Sequence, residues 1–383
     1  RRLTGYTQVF DGTGTDPTDR DASIKGAGYI GYKTLSSYDV DACETYCNSH
    51  SGCVFVNLYY IFNVNAQTNP VVRCAAYTQP HSGSEKTNFG GQQLLPAPAG
   101  KTYVQQSTGY ALDSVSVLAN PTTPAGYQLV FGPTTGANTA PGVSSYPSTT
   151  LSQYDVQGCA NFCNGQAPDP VGGICQYFNI YQTISGGNPT YTCATYYLPT
   201  DASTATNTGG GAISYSRGYS RVSVVLDGGF EGYITSCNPN DLCTVDSYQY
   251  WTSTTPGSFD AVFFDYAPRA RTGHGVALLG QAYDATTDPG TITPTSPLVT
   301  TAGKQYVIAF WHDSSYSGQQ FETNSFLQVI WNGAIVFSIT PGYQTWTFYS
   351  VTVTAQGNDV LEFTGGHAPS WDRVDDVAVF LNN

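Results

Sequence analysis

The segment LSSYDVDACETYCN at Leu35–Asn48 returns 116 residues later as LSQYDVQGCANFCN at Leu151–Asn164. In each copy a short carboxylate, Asp39 or Asp155, precedes a stretch suited to a helix, and such a residue caps a helix by accepting a hydrogen bond from a free backbone N–H. Two cysteines follow four residues apart, which places both thiols on one side of the helix. The pattern predicts a duplicated unit whose short helix is bonded to a neighbouring element.

The composition indicates a secreted protein whose partner is neither nucleic acid nor an anionic membrane. Ten cysteines occur without a CxxC pair, which favours disulfides and an oxidising compartment. The formal charge of -13, with only 14 Lys and Arg among 383 residues, argues against the cationic patch that nucleic acid or anionic lipid requires. No apolar run approaches the roughly 18 residues of a membrane span. The absence of Met predicts a processed form from which a signal peptide has been removed.

Each copy of the segment lies in a longer repeat with the same order of elements. Stretches rich in β-branched and aromatic residues predict the strands. In the first repeat they are Tyr6–Phe10, Cys53–Val64, Val71–Thr78 and Gly109–Leu118. In the second they are Tyr127–Phe131, Cys175–Ile184, Tyr191–Leu198 and Gly218–Leu226. A Pro-rich segment at Asn120–Gly126 separates the two repeats and predicts a boundary there.

The arrangement of cysteines resembles the PAN/apple domain, in the form common in secreted fungal proteins. A helix carries Cys-x-x-x-Cys, a third Cys begins the next strand, and a fourth lies in the strand after it; the resemblance covers about the first 225 residues. Sequence alone permits three pairings in each unit. The nested bridges of the family imply the pairs Cys43–Cys74, Cys47–Cys53, Cys159–Cys193 and Cys163–Cys175. Each bridge would contribute about 2–4 kcal/mol to stability.

From Val225 onward the pattern changes to short strands with no helical pattern between them, which indicates an antiparallel β-sandwich. Cys237 and Cys243 are close enough in sequence to close a local loop. The predicted fold class is therefore mainly β with short helices. Two small disulfide-bonded PAN/apple-like α+β units at 1–119 and 120–224 are followed by a jelly-roll β-sandwich at 225–383.

The phrases GGFE, AGKQYVIAFW, WNG, TWTFYSVTVTA and VDDVAVF occur in an order that resembles the galactose-binding-like jelly rolls, which include many carbohydrate-binding modules. That resemblance implies a structural calcium between the first strand and the last. By position its ligands would be Glu231 of GGFE and Asp375 of VDDV, with backbone carbonyls completing an all-oxygen shell. The alternative interpretation is that Glu231 is a solvated turn residue and Asp375 a surface charge.

Sugar binding needs aromatic faces and a few amide or carboxylate groups. All five tryptophans of the chain lie in the last domain: Trp251, Trp311, Trp331, Trp346 and Trp371. Period-two alternation places Leu327, Val329 and Trp331 in the core and Gln328 on the other face. Trp346 is also expected in the core. The candidate ligand residues are therefore Trp311, Asp313, Gln328 and Trp371, with core packing as the alternative for each tryptophan.

The sequence carries no recognisable catalytic pattern: GxSxG, HExxH and P-loop motifs do not occur. We therefore predict a secreted, non-catalytic, lectin-like protein that binds cell-wall or extracellular polysaccharide, with no nucleic-acid partner and no membrane insertion. One alternative is a structural protein that associates with itself in an extracellular fibre, coat or matrix. A second alternative is an enzyme that acts on polysaccharide.

Overall fold

The computed structural model divides the chain into two compact units. Unit 1 comprises Arg1–Thr122 with Ser152–Val156, and unit 2 comprises Thr123–Leu151 with Gln157–Asn383. The structure describes residues 5–14, 20–63, 66–93, 101–113, 115–139, 147–185, 188–232, 243–254, 261–280, 289–366 and 369–382.

Unit 1 is built on an antiparallel sheet with a short helix on one face. Its elements are β1 Tyr6–Phe10, β2 Ser23–Ile24, β3 Tyr29–Leu35, α1 Val40–Asn48, β4 Phe55–Asn63, β5 Ala66–Tyr77, β6 Lys86–Asn88, β7 Gly90–Gln93, β8 Lys101–Leu112 and α2 Ser116–Ala119. The main sheet has the order β1-β8-β4-β5-β3, with β7 also paired to β8, while β2 and β6 form a separate two-stranded ribbon.

Helix α1 begins where the sequence predicts it. The side chain of Asp39 accepts a hydrogen bond from the backbone N–H of Ala42 at 3.0 Å. Cys43 and Cys47 are completely buried on the face that packs on the sheet. The cap therefore fixes the start of the helix, and the spacing of the cysteines fixes the face that is buried.

Two disulfides fix each repeat helix, one to a strand of the sheet and one to the segment just before the next strand. The bridges are Cys43–Cys74, Cys47–Cys53, Cys159–Cys193 and Cys163–Cys175. These are the same four pairings that the resemblance to the PAN/apple domain implies. Cys243 is also disulfide-bonded, whereas Cys237, its predicted partner, lies outside the described residues.

The strands of unit 1 alternate between two buried faces, as the period of two requires. The face toward the helix carries Val56, Leu58, Val72, Cys74 and Ala76. The opposite face carries Phe55, Tyr59, Ala75 and Tyr77. Because residues on both faces are buried, apolar residues occupy consecutive positions along these strands.

A buried asparagine in the first strand after the helix is a shared feature of the two repeats. In unit 1, Asn57 Oδ1 accepts a hydrogen bond from the backbone N–H of Ile24 at 2.9 Å, and its amide donates to the carbonyl of Thr108 at 3.0 Å. In unit 2, Asn179 makes the same contacts with the backbone N–H of Asn138 and the carbonyl of Arg217, both at 2.9 Å. This side chain therefore anchors an irregular segment to the sheet in both repeats.

Unit 2 contains the second repeat followed by the sandwich. The repeat consists of β9 Tyr127–Thr134, β10 Thr149–Leu151, α3 Val156–Asn164, β11 Tyr177–Ser185, β12 Asn188–Tyr196 and β13 Ile213–Arg221. Its five-stranded antiparallel sheet has the order β10-β12-β11-β13-β9.

The sandwich consists of two facing antiparallel sheets. Its strands are β14 Cys243–Val245, β15 Trp251–Thr254, β16 Ala261–Asp265, β17 Gly275–Leu279, β18 Gly290–Pro294, β19 Gln305–Asp313, β20 Leu327–Trp331, β21 Ala334–Ile339, β22 Thr347–Thr354, β23 Leu361–Gly365 and β24 Asp372–Asn382. One sheet has the order β14-β16-β17-β24-β19-β22 and the other β15-β18-β23-β20-β21. Leu327, Val329 and Trp331 lie in the core between them, as the alternation predicts.

Within unit 2 the second repeat covers part of the outer face of the first sandwich sheet. Ile174 of the repeat packs with Ala309 and Phe380 of the sheet. The guanidinium of Arg221 donates a hydrogen bond to the carbonyl of Leu381 at 3.0 Å. That part of the sheet is therefore closed to a ligand.

The predicted fold class is confirmed. The chain is mainly β, its sheets are antiparallel, and its helices are short. Within the part of the chain that the structure describes, none of the helices has the length and apolar character of a membrane span.

Candidate functional site

Three partly exposed aromatic side chains lie together at one end of the sandwich. The rings of Tyr316 and Trp371 have their centroids 5.5 Å apart. The guanidinium carbon of Arg373 lies 5.4 Å from the ring centroid of Trp346 and 5.9 Å from that of Tyr316. We call Tyr316, Trp346 and Trp371 the aromatic cluster. Each of its members keeps part of its surface open to solvent.

A buried ion pair fixes the centre of the aromatic cluster. Arg373 donates from Nε to Asp313 Oδ1 at 3.1 Å and makes a second, shorter bond from Nη2 to the same oxygen. Its Nη1 donates to the carbonyl of Arg269 at 2.9 Å. Asp313 and Arg373 face each other at the end of β19 and the start of β24 and are 1% and 4% exposed. The guanidinium is therefore held in one orientation between the rings.

A buried glutamate holds the loops that carry two of the rings. Glu322 accepts hydrogen bonds from the backbone N–H of Ser317 at 2.6 Å and from that of Trp371 at 3.2 Å. Burial raises the pKa of Glu322, although these two N–H donors partly oppose the effect. Because the side chain is fully buried, it positions the backbone next to Tyr316 and Trp371 and does not itself reach solvent.

Below the aromatic cluster lies a second buried polar group. Asp372 Oδ1 contacts His312 Nε2 at 2.6 Å and accepts a hydrogen bond from the hydroxyl of Ser325 at 2.8 Å. All three residues are almost completely buried. Their hydrogen bonds connect the end of β19 and the start of β24 to the loop before β20. These contacts hold the backbone next to Trp371 in place.

The predicted ligand residues do not all lie at one place. Trp371 belongs to the aromatic cluster, and Asp313 lies beneath it. Trp311 is only 6% exposed, since Phe348 packs against one edge of its ring and the guanidinium carbon of Arg271 lies 3.5 Å from its centroid. Gln328 is partly exposed on the outer face of the other sheet, where it pairs with Thr364 and Ser338.

One prediction about the tryptophans is wrong, and three residues of the site have no signal in the sequence. The sequence predicts Trp346 in the core, but in the structure this residue precedes β22 and is partly exposed beside Arg373. Tyr316, Arg269 and Arg373 carry no motif that singles them out in the sequence. Only the folded chain brings them together, because Tyr316 comes from a loop and Arg373 from the last strand.

The predicted calcium ligands are both engaged by nitrogen donors. Glu231 accepts from the backbone N–H groups of His274 and Gly275, at 2.9 and 3.0 Å from Oε1. Asp375 is fully buried and accepts from the backbone N–H groups of Arg271 and Asp376, each at 2.7 Å. Because Asp375 is buried, the alternative interpretation of this residue as a surface charge is wrong.

Asp375 is buried next to a second carboxylate, that of Asp376. Burial, together with the neighbouring carboxylate of Asp376, raises the pKa of Asp375 to about 8. A carboxylate is a suitable ligand for calcium, and a bound cation favours the charged form of a carboxyl group. However, the described residues include no group of three or more His, Cys, Asp or Glu side chains placed to hold a metal. Backbone carbonyls would have to complete the shell.

Comparison with known proteins identifies similar solved structures but no family. No protein-family model matches the chain, and neither does any curated protein sequence. TmCBM61 in complex with β-1,4-galactotriose is 13% identical, with a TM-score of 0.28, over 42% of this chain and 99% of that one. The CBM22-1 xylan-binding domain from Paenibacillus barcinonensis is 12% identical, with a TM-score of 0.25, over 39% of this chain and 99% of that domain.

A third similar structure is a family 35 carbohydrate binding module from Clostridium thermocellum. It is 18% identical, with a TM-score of 0.21, over 32% of this chain and 90% of that one. At these identities and TM-scores the similarity carries no conclusion about ligand or activity.

Proposed function

We propose that this chain is a secreted, non-catalytic carbohydrate-binding or adhesion protein, and that the sandwich binds polysaccharide at the aromatic cluster. The observation that carries the proposal is that Tyr316 and Trp346 lie on either side of the Arg373 guanidinium, with Trp371 next to Tyr316. Aromatic faces pack against the C–H surfaces of a pyranose ring, and the buried guanidinium of Arg373 lies against the rings of Tyr316 and Trp346 and helps to fix their positions. The disulfides support an extracellular location, where cell-wall and matrix polysaccharides occur.

The buried ion pair of Asp313 and Arg373 supports a site that is ordered before a ligand binds. Asp313 neutralises Arg373 and keeps its planar fork in place, so binding does not have to order that side chain. The two repeats would act as disulfide-stabilised PAN/apple-like units, a proposal that rests on the two bridges of each repeat helix.

Replacing Trp371 with Ala is expected to weaken glycan binding by about tenfold or more, because it removes one stacking face of about 1.5 kcal/mol. The measurement is a screen of the full-length protein against galactans, xylans, mannans and β-glucans, followed by titration with the best ligand. Ile335→Ala, which truncates a side chain 57% exposed on β21, is the matched control. Gln328→Ala tests the outer face of the second sheet.

Three outcomes of this experiment would decide between the alternatives. Loss of binding in Trp371→Ala but not in the control supports the aromatic cluster. Loss only in Gln328→Ala would move the site to the other sheet. If no glycan binds the wild-type protein, the proposed function is wrong, and self-association in an extracellular matrix becomes the better hypothesis.

We also propose that a structural calcium binds at Asp375 and Glu231. Calcium at 100 times its dissociation constant adds about 2.7 kcal/mol of stability, so the melting temperature of the wild-type protein should rise by about 5 °C or more. Asp375→Ala should remove this rise, and magnesium at the same concentration should not reproduce it. Equal shifts in wild type and Asp375→Ala would contradict the proposal.

A further inference from the structure

Unit 1 contains a cavity of about 460 Å³ on the face of its sheet opposite helix α1. Four tyrosines line it. Tyr59 and Tyr77 are 7% and 2% exposed and form the floor, while Tyr29 and Tyr32 are 54% and 48% exposed and form the rim. A cavity of this size lies within the range of small-molecule sites.

The alternation of the strands puts a cation among these rings. Arg73 and Tyr77 are four residues apart in β5 and so point to the same face. Tyr59 of β4 lies directly opposite Arg73. The guanidinium carbon of Arg73 is 4.2 Å from the ring centroid of Tyr32. Burial raises the pKa of Tyr59, and the charge of Arg73 partly offsets that effect, as expected for groups in contact.

The charges around the cavity are positive. Arg73 and Lys25 line it, together with the polar side chains of Asn88 and Thr102, and the described residues that line it include no Asp or Glu. Within the described part of the chain, the buried Nε of Arg73 has no hydrogen-bond partner. An acceptor that reached this donor would remove its desolvation cost.

Nearby carboxylates are already paired with other groups. Glu85 contacts His81 Nδ1 at 2.9 Å and accepts from the backbone N–H of Ser82 at 2.9 Å. Asp21 forms a 2.5 Å ion pair with Lys86. In sequence, residues 1–122 contain eight of the chain's 14 Lys and Arg but only nine of its 27 Asp and Glu. An anion therefore meets less repulsion here than elsewhere on this acidic chain.

We propose that this cavity is a second ligand site, independent of the aromatic cluster, and that it binds a carboxylated pyranose, that is, a hexuronic acid unit. The tyrosine rings provide faces for the sugar ring. Arg73 provides a planar fork that matches a carboxylate, and Lys25 adds a second positive charge at the rim. A neutral sugar would leave the buried Nε of Arg73 without an acceptor of matching charge.

The second repeat provides an internal comparison. Thr192 lies opposite Tyr181 in the register position that Arg73 occupies opposite Tyr59. Thr139 follows Asn138 just as Lys25 follows Ile24, and the backbone N–H groups of Asn138 and Ile24 bind equivalent asparagines. The second repeat thus keeps the fold without either cation. The positive charge of the cavity is therefore specific to the first repeat and is not required for the repeat to fold.

Because the second repeat has Thr192 at the position of Arg73, the test variant is Arg73→Thr. Full-length protein is titrated with digalacturonate, with its methyl ester and with a glucuronate disaccharide. We expect wild type to bind digalacturonate, and both the methyl ester and the Arg73→Thr variant to reduce affinity by about tenfold or more. Lys33→Thr is the matched control, because Lys33 lies in β3 opposite Cys74, on the other face of the sheet. The control variant should bind digalacturonate with the affinity of wild type.

Several results would overturn the proposal. One is the absence of digalacturonate binding by wild type, and another is equal affinity for the acid and its methyl ester. A third is unchanged affinity in Arg73→Thr when circular dichroism and melting match wild type. If Arg73→Thr fails to fold, Arg73→Lys replaces it and should still weaken binding, since Lys cannot bind the carboxylate with two parallel bonds. Binding of glucuronate as well would extend the ligand class to both uronic acids.

Discussion

Replacing Asp313 with Ala is expected to lower the free energy of unfolding of the sandwich by about 3–5 kcal/mol, because the charge on Arg373 would remain buried without a partner. Both side chains are almost fully buried and the guanidinium is bonded through two nitrogens. Urea unfolding followed by tryptophan fluorescence measures the change, since all five tryptophans lie after residue 250.

The matched control is the double variant Asp313→Leu with Arg373→Met. Replacing a whole buried ion pair with apolar residues is often neutral for stability, so this variant should unfold near the wild-type midpoint. It should nevertheless bind glycan more weakly, because the guanidinium between the rings is gone. A loss below about 1 kcal/mol in Asp313→Ala, the range of an exposed pair, would contradict the buried pair.

Removing the Cys43–Cys74 bridge by a double Ala substitution is expected to destabilise unit 1 by about 2–5 kcal/mol. The bridge spans 31 residues, and both cysteines lie in the core beneath the helix. Limited proteolysis of the folded protein measures the effect as faster cleavage between residues 35 and 78.

The equivalent Cys159–Cys193 bridge is the matched control, with a separation of 34 residues. Its removal should speed cleavage in the second repeat and leave the first repeat at the wild-type rate. If the Cys43 and Cys74 substitutions leave proteolysis of unit 1 unchanged, the helix does not depend on its bridge, and the role assigned to these cysteines is wrong.

The parts of the fold that depend on local chemistry could be predicted from the sequence. The cap at Asp39 and the four-residue spacing of Cys43 and Cys47 are local, and they correctly locate helix α1 and its buried face. The alternation in β20 likewise places Leu327 and Trp331 in the core. The pairing of the cysteines needed a family resemblance, because spacing alone leaves three options for each repeat.

The site could be predicted only in part. Alternation puts Phe310 in the core and Trp311 on the opposite face of β19, but it cannot reveal that Phe348 and Arg271 cover that face. Tyr316 and Arg373 are 57 residues apart in the sequence and meet only in the folded chain. Contacts of that kind depend on loop conformation, which no local pattern encodes.

The central claim is that the sandwich binds glycan at the aromatic cluster, and oxidative footprinting of tryptophan tests it most directly. Full-length protein is oxidised with N-bromosuccinimide, with and without a saturating soluble polysaccharide from the screen, and each tryptophan is quantified by mass spectrometry. We predict that Trp346 and Trp371 react in the free protein and are protected by glycan, whereas Trp251 and Trp331, both buried, react slowly in either state. Bound glycan that leaves Trp346 and Trp371 as reactive as before would contradict the assignment of the site.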